Sequence, residues 1–342
     1  IGWSGDFYTS SDVHPILGQA IARQARQIDA ALGCPDPFTV VEMGPGKGLL
    51  AKHFLSACRV QADDSFSRRL RYVLIERSPA MRELQRRNLL HGLCEPDRIT
   101  WVDDLPSLGP SHVTGLMFSN ELPDAFPVHR IQMEKGTAQE IYVDYDGATF
   151  VERLGPLSSP TVQEYLTRLK VALPDGYQTE INTQAVRWME QVAASIDRGI
   201  ALTIDYGHTA QDLYSPDRAK GTLLCYHAQM TNEDPYSRVG QQDMTAHVDF
   251  STLATVGDMH GLHVSGFTNQ MSFLMGLGVE EMLAKLDPEG PEFRAAIHLL
   301  RPDGMGRTFK VLVQHKGIEK PTLDGLAFKP FFGSALTLHH AA

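Results

Sequence analysis

The sequence predicts an α/β fold, a Rossmann-like sheet with helices on both faces that carries inserted cap elements. Three observations support it. An apolar run from Phe38, rich in the β-branched Thr39, Val40 and Val41, passes through Glu42 and Met43 straight into Gly44-Pro45-Gly46-Lys47-Gly48. Leu49, Leu50, His53, Phe54 and Leu55 then follow at helical spacing, so the glycines lie between a strand and a helix N-terminus. There the backbone must turn sharply, and only residues without a Cβ let a ligand approach it closely. Two further apolar stretches also end in acids, residues 71–75 in Glu76 and residues 99–102 in Asp103-Asp104. A doubly wound sheet holds its ligand at such strand ends.

The glycine and acid pattern discriminates among nucleotide ligands. A phosphate-binding P-loop needs GxxxxGK followed by Ser or Thr, but Gly48 follows Lys47. A dinucleotide fingerprint needs GxGxxG, but position 49 is Leu, and Glu42 would repel a pyrophosphate. S-adenosylmethionine has no phosphate, and its ammonium and sulfonium are cationic, so an acid beside the loop favours it. The expected cofactor contacts in the loop are Glu42, Gly44, Pro45, Gly46 and Gly48. Glu76 stands where a carboxylate accepts hydrogen bonds from both ribose hydroxyls, with Arg77 and Ser78 after it, and Val102 and Asp103 stand at the adenine edge. Together these point to a class I methyltransferase that uses S-adenosyl-L-methionine and releases S-adenosyl-L-homocysteine.

Composition frames that expectation. With 342 residues, 42% of them hydrophobic, the chain can bury a large core. A net charge of -10 leaves no basic footprint for nucleic acid. Cys34, Cys58, Cys94 and Cys225 are scattered, with no CxxC pair or His partner at zinc spacing, so reduced thiols and no metal site are expected. No apolar run reaches the roughly 20 residues of a membrane helix, and Ile1-Gly2-Trp3 does not resemble a signal peptide. The expectation is a soluble, intracellular protein.

Taken in order, the chain opens on GDFYTS at 5–10, whose adjacent aromatics suit a lid over the cofactor, with Thr9 and Ser10 as contacts. A helix follows, with Ser11 or Asp12 as N-cap and Pro15 in its first turn. A fourth strand, residues 113–119, ends in Asn120-Glu121-Leu122-Pro123-Asp124, where the transferable methyl should emerge. Asn120 and Glu121 are therefore candidate cofactor contacts. Glu121 and Asp124 are candidate catalytic acids suited to a cationic acceptor, although Asp124 beside Pro123 also suits a turn. Residues 131–198 read as an inserted cap: a small meander followed by helices at 161–171 and 183–196. A fifth strand at 199–206 ends in Asp205 and leads into a long loop. His247, between Asp243 and Asp249, is a candidate general base, with Asp249 equally able to cap a helix at 252–259. Strands at 262–268 and 307–314 finish the sheet, with helices near 272–286 and 292–301 between them. The expected layout is 1–130 as the first part of the methyltransferase domain, 131–198 as the cap, 199–316 as the remainder with a helical insertion near 270–303, and 317–342 as a tail.

GDFYTS at 5–10, HPILGQAIA at 14–22, EMGPGKG at 42–48, NELPDAFPVHR at 120–130, TIDYG at 203–207 and TAHVDF at 245–250 together resemble the MidA family over essentially the whole chain. These are class I methyltransferases of bacteria and mitochondria, and the mitochondrial members assist assembly of respiratory complex I. The resemblance implies a Rossmann-like methyltransferase fold and S-adenosylmethionine. From the mitochondrial members it also implies symmetric dimethylation of an arginine on a complex I core subunit. The expected partners are a protein substrate, for which a complex I subunit is the precedent, and a second copy in a homodimer. The expected location is the bacterial cytoplasm, or the mitochondrial matrix in a eukaryote. Family members usually carry a helical segment ahead of GDFYTS, where this sequence has four residues. An assembly factor with a retained methyltransferase fold and a small-molecule methyltransferase are the competing functions.

Overall fold

The structure, a computed structural model, describes residues 10–59, 65–90, 98–330 and 333–340. It opens on α1 (Ser10–Val13) and α2 (Ile16–Ala31) and then alternates strand and helix: β1 (Phe38–Met43), α3 (Leu49–Arg59), α4 (Ser65–Arg69), β2 (Leu70–Ile75), α5 (Pro79–Leu90), β3 (Ile99–Val102) and β4 (Val113–Asn120). Next come β5 (His129–Glu134), β6 (Thr137–Tyr145), β7 (Phe150–Gly155), α6 (Pro160–Leu169) and β8 (Gln178–Ile181). Then α7 (Thr183–Ser195) leads back to the main sheet in β9 (Ile196–His208). Beyond it lie α8 (Ala210–Leu213), β10 (Leu224–His227), β11 (Met230–Asn232), β12 (Asp243–Thr245), β13 (Val248–Asp249), α9 (Phe250–Met259) and β14 (His263–Asn269). The last elements are α10 (Gln270–Gly276), α11 (Val279–Leu283), α12 (Pro291–His298), α13 (Met305–Thr308) and β15 (Phe309–Lys316).

The main sheet runs β14-β15-β9-β4-β1-β2-β3. Its pairs are parallel except those of β15, which is antiparallel to both β9 and β14. Alternation with period two sends side chains to opposite faces. Val40, Leu116, Phe118, Leu202 and Ile204 face the layer containing α2, α3 and α10. Val41, Met117 and Ala201 face the layer containing α7 and α9. Burying a large apolar side chain such as Phe54 or Phe118 contributes roughly 1.5–3 kcal/mol. The expected α/β class is therefore observed. Register decides what meets at the carboxyl edge: Met43 lies level with Ile75 and Ser119, and Ile75 with Val102. Gly44, Glu76 and Asp103, each one step further on, become neighbours.

Several local expectations are corrected. Asp12 is not a cap, because its carboxylate pairs with Lys47 Nζ at 3.0 Å, and α2 starts after Pro15 with no side-chain cap. The small meander has a fourth strand, since β8 pairs with β5. The stretch after Asp205 is no open loop: it holds α8 and a three-stranded sheet, β11-β10-β12. The helix expected near 272–286 is split, because Gly278 adopts φ +73° between α10 and α11. The lid at 5–9, the contact assigned to Thr9 and Cys94 lie outside the described residues. No helix among the described residues is long and apolar enough to cross a membrane.

Candidate active site

The turn after β1 is built as its glycines imply, with Gly44, Gly46 and Gly48 at φ +68°, +50° and +76°. A Cβ at Gly44 would lie 2.8 Å from Leu122 Cδ1, so the loop closes against the segment that follows β4. A Cβ at Gly46 would meet nothing within 4 Å and would project into open space. The loop is braced from α5: Gln85 Nε2 donates to the Gly46 carbonyl at 2.7 Å and Asn88 Nδ2 to that of Lys47 at 2.8 Å. Gln85 also donates to Glu76 Oε2 at 3.2 Å and accepts from Trp101 Nε1 at 2.9 Å, joining loop, β2 and β3. Glu76 Oε1 accepts from the Ser78 amide at 2.8 Å. Arg82 donates to the Glu76 carbonyl and pairs with Asp103.

These groups border a cavity of about 600 Å³ that brings Gly44, Glu76, Arg77 and Asp103 together. Phe126 and Trp188, in edge-to-face contact at 6.1 Å, form an aromatic wall that the sequence did not signal. Gly46, Gly48, Ser78 and Val102 belong to the bordering elements but do not line the cavity, and neither does Pro45, which is buried. Glu42 is a correction. Its parity with Val40 turns its side chain into the helical layer, where Oε2 accepts from the Tyr72 hydroxyl at 2.7 Å. Burial pushes its pKa up to about 8, against the smaller opposing effect of that hydrogen bond.

On the other side of residues 121–126 lies a second cavity, of about 280 Å³, lined by Glu121, Asp124, Tyr206, Tyr226, Asp243 and Thr245 among others. Several bonds shape this segment. Glu121 takes a left-handed turn (φ +55°), and its amide donates to the Ile204 carbonyl. The fully buried Asp205 accepts from the amides of Leu122 and Asp124 at 3.2 Å each. Asn182 caps α7 and donates to the Pro123 carbonyl at 3.0 Å. Ser10 is pinned here as well, its amide (2.9 Å) and hydroxyl (3.3 Å) donating to Glu121 Oε1, which Asn120 Nδ2 also reaches at 3.0 Å. Tyr226 and Asp243 pair across β10 and β12, which brings them to the cavity together.

The cavity is acidic and poorly solvated. Burial raises Glu121 to about 8; the Ser10 amide opposes that shift and the Asp124 charge adds to it. Burial, then the charge of Asp243, raises Asp124 to about 7. Asp205 is driven well above the carboxylate range by burial and by Asp124 and Glu121. Asp124 Oδ1, Asn120 Oδ1 and Ser119 Oγ are buried with no hydrogen-bond partner. Of these three residues only Asp124 lines the cavity, where an orphan carboxylate oxygen fits a bound polar or cationic group.

His247 does not join these acids. It is absent from the cavity wall, its ring lies 5.2 Å from that of His208, and Nδ1 is buried without a partner. Burial, Arg218 and Lys310 lower it to about 4. Asp249 caps α9 and accepts from Tyr165 and Tyr214, so the acid-flanked histidine expected from the sequence does not form. Among the described residues no group of three or more His, Cys, Asp or Glu is arranged to hold a metal ion.

Comparison with known proteins bears on this site. A family model described as an S-adenosyl-L-methionine-dependent methyltransferase matches residues 20–268. A Drosophila melanogaster protein named protein arginine methyltransferase NDUFAF7 homolog, mitochondrial, is 28% identical, covering 94% of this chain and 78% of its own. The Homo sapiens protein arginine methyltransferase NDUFAF7, mitochondrial, is 26% identical over 93% of this chain and 76% of its own. The crystal structure of a Burkholderia thailandensis protein bound to S-adenosyl-homocysteine superposes with a TM-score of 0.84. It is 32% identical and covers 94% of this chain and 82% of that one.

Proposed function

The chain belongs to this family of S-adenosyl-L-methionine-dependent methyltransferases, and from that premise we propose that it methylates an arginine side chain of a protein substrate. The carrying observation is Asp124, whose buried Oδ1 has no hydrogen-bond partner and which with Glu121 lines an acidic cavity, while the same segment gives Leu122 and Phe126 to the larger pocket. The names of the Drosophila and human relatives, both protein arginine methyltransferases, support arginine as acceptor.

The larger pocket suits the cofactor: about 600 Å³ is within the usual range for a small-molecule site. There Gly44, at the start of the glycine turn, would border the methionine portion, Glu76 would accept from the ribose hydroxyls, and Asp103 with the Phe126–Trp188 wall would hold the adenine. When bound, S-adenosylmethionine supplies a methyl group on a sulfonium, which leaves by in-line displacement. The chain's own work is to hold the acceptor in line and to take a proton, because a methylated guanidinium remains a cation and one N–H proton must go. Glu121 and Asp124 grip two guanidinium nitrogens and draw the positive charge away from the third. Asp124 Oδ1 receives the proton, and a pKa near 7 suits it to accept and release one. Ser10 and Asn120 orient Glu121.

The strands β5–β8 serve as a cap that selects the substrate. A respiratory complex I subunit is the first substrate to assay, following the family resemblance. The proposed location is the cytoplasm for a bacterial chain or the matrix for a mitochondrial one. Incubation with radiolabelled S-adenosylmethionine and a cell lysate, followed by hydrolysis of the labelled protein, should yield methylarginine. Label in lysine or in small molecules alone contradicts the proposal.

A further inference from the structure

An apolar groove of about 490 Å³ adjoins the acidic cavity and shares Ala125 and Thr245 with it. Its floor is the chain that follows Asp124, with Phe126, Pro127 and Val128. Strand β12 runs between the two: Asp243 borders the cavity, Met244 borders the groove, and Thr245 borders both. The far wall is built from the inserted sheet and the loop before β12. Phe150 stacks on Tyr236 at 5.8 Å and meets Tyr145 at 5.6 Å, and the Tyr236 hydroxyl donates to Glu152, which pairs with Arg130. Large apolar groups stand open around it, with Val143 54%, Phe150 43%, Val239 61% and Met244 49% exposed. Exposure concentrated beside a candidate active cavity marks an interaction site.

We propose that this groove binds the polypeptide of the methyl acceptor, taking apolar side chains that flank the residue entering the acidic cavity. The proposal rests on the protein-substrate assignment above and extends it to sequence preference. Continuity favours this occupant, since a chain crossing Ala125 and Thr245 would present a cationic side chain to Glu121, Asp124 and Asp243 while its neighbours lie on Val239 and Met244. Charge complementarity favours it too, with cation and acids on one side and apolar groups on both partners on the other.

The test uses fluorescence anisotropy with the protein saturated with S-adenosylhomocysteine, so binding is read without methyl transfer. Four labelled synthetic peptides are compared: arginine flanked by leucine and phenylalanine, arginine flanked by serine and glycine, and both with arginine replaced by glutamine. The apolar-flanked arginine peptide should bind about ten-fold or more tightly than the polar-flanked one. Val239→Asp and Met244→Asp, both at exposed positions, should remove that difference with unchanged thermal melting and unchanged affinity for S-adenosylhomocysteine. Equal binding of the glutamine peptides refutes arginine as the cation, while persistence of the flank effect among them still supports the groove. Equal binding of the two flank types, or full binding by the variants, overturns it. So does sedimentation showing that the wild type is a dimer which either variant converts to monomer, because the groove would then be occupied by a second copy.

Discussion

Glu42→Gln separates a structural from a cofactor-binding role for the acid before the glycine turn. In the fold this carboxyl is fully buried, bonded to Tyr72 and raised from 4.5 to about 8. The folded state therefore holds a proton that the unfolded chain has lost between roughly pH 5 and 8. Stability must fall as pH rises through that window, by up to about 1.4 kcal/mol per unit, until the group ionises in the fold as well. The accumulated loss is on the order of a few kcal/mol by pH 9. Glutamine keeps an acceptor for Tyr72 but does not titrate. It leaves an extra N–H in place, which adds a constant cost of roughly 1–3 kcal/mol if unpaired. The readout is therefore a slope. In urea melts at pH 5, 7 and 9, the stability of the variant relative to wild type should climb by a few kcal/mol, while calorimetry with S-adenosylhomocysteine gives nearly the same affinity for both. Parallel stability curves would refute the buried-acid account, and a large loss of cofactor affinity would restore Glu42 to the binding site.

Other perturbations address the pocket and the acids. Gly46→Val puts a β-branched residue at φ +50° and points it into open space within the turn. Calorimetry should show S-adenosylhomocysteine binding lost with an unchanged circular dichroism spectrum, and unaltered affinity would rule out the loop as cradle. Glu76→Ala removes charge-assisted hydrogen bonding worth roughly 1.5–3 kcal/mol, so cofactor affinity should fall about ten-fold to a hundred-fold. A change under two-fold would remove Glu76 from the ribose site. Cation binding needs ionised acids, and Asp124 and Glu121 sit near 7 and 8. Turnover should therefore rise from pH 6 to 8, whereas a flat profile would contradict their role.

Much of the fold was legible because its signals are local. β-branched runs, a turn that needs positive φ at Gly44, Gly46 and Gly48, and acids closing successive strands are all read within a few residues. Glu76 and Asp103 could be anticipated as neighbours because parallel strands bring equivalent ends together. Glu42 differs from the expectation because its parity with Val40 assigns it to the face that packs on α2 and α3. Tyr226 and Asp243 were not legible as a pair. Strands of three and four residues in polar surroundings give no periodic signal, and only the pairing of β10 with β12 makes them adjacent. His247 failed for the opposite reason: acids two and four residues away in sequence say nothing about side-chain direction, and Asp249 is consumed by a helix cap.

The most direct test of arginine methylation through the acidic cavity is a single-turnover assay of Glu121→Gln and Asp124→Asn beside wild type. Each is saturated with S-adenosylmethionine and given the same arginine-bearing protein, and methylarginine is read by mass spectrometry. Both variants should retain S-adenosylhomocysteine affinity. Glu121→Gln should lose most of the methyl transfer, and Asp124→Asn should be impaired in the same direction. Full methylarginine formation by Glu121→Gln would show that these carboxylates only shape a turn.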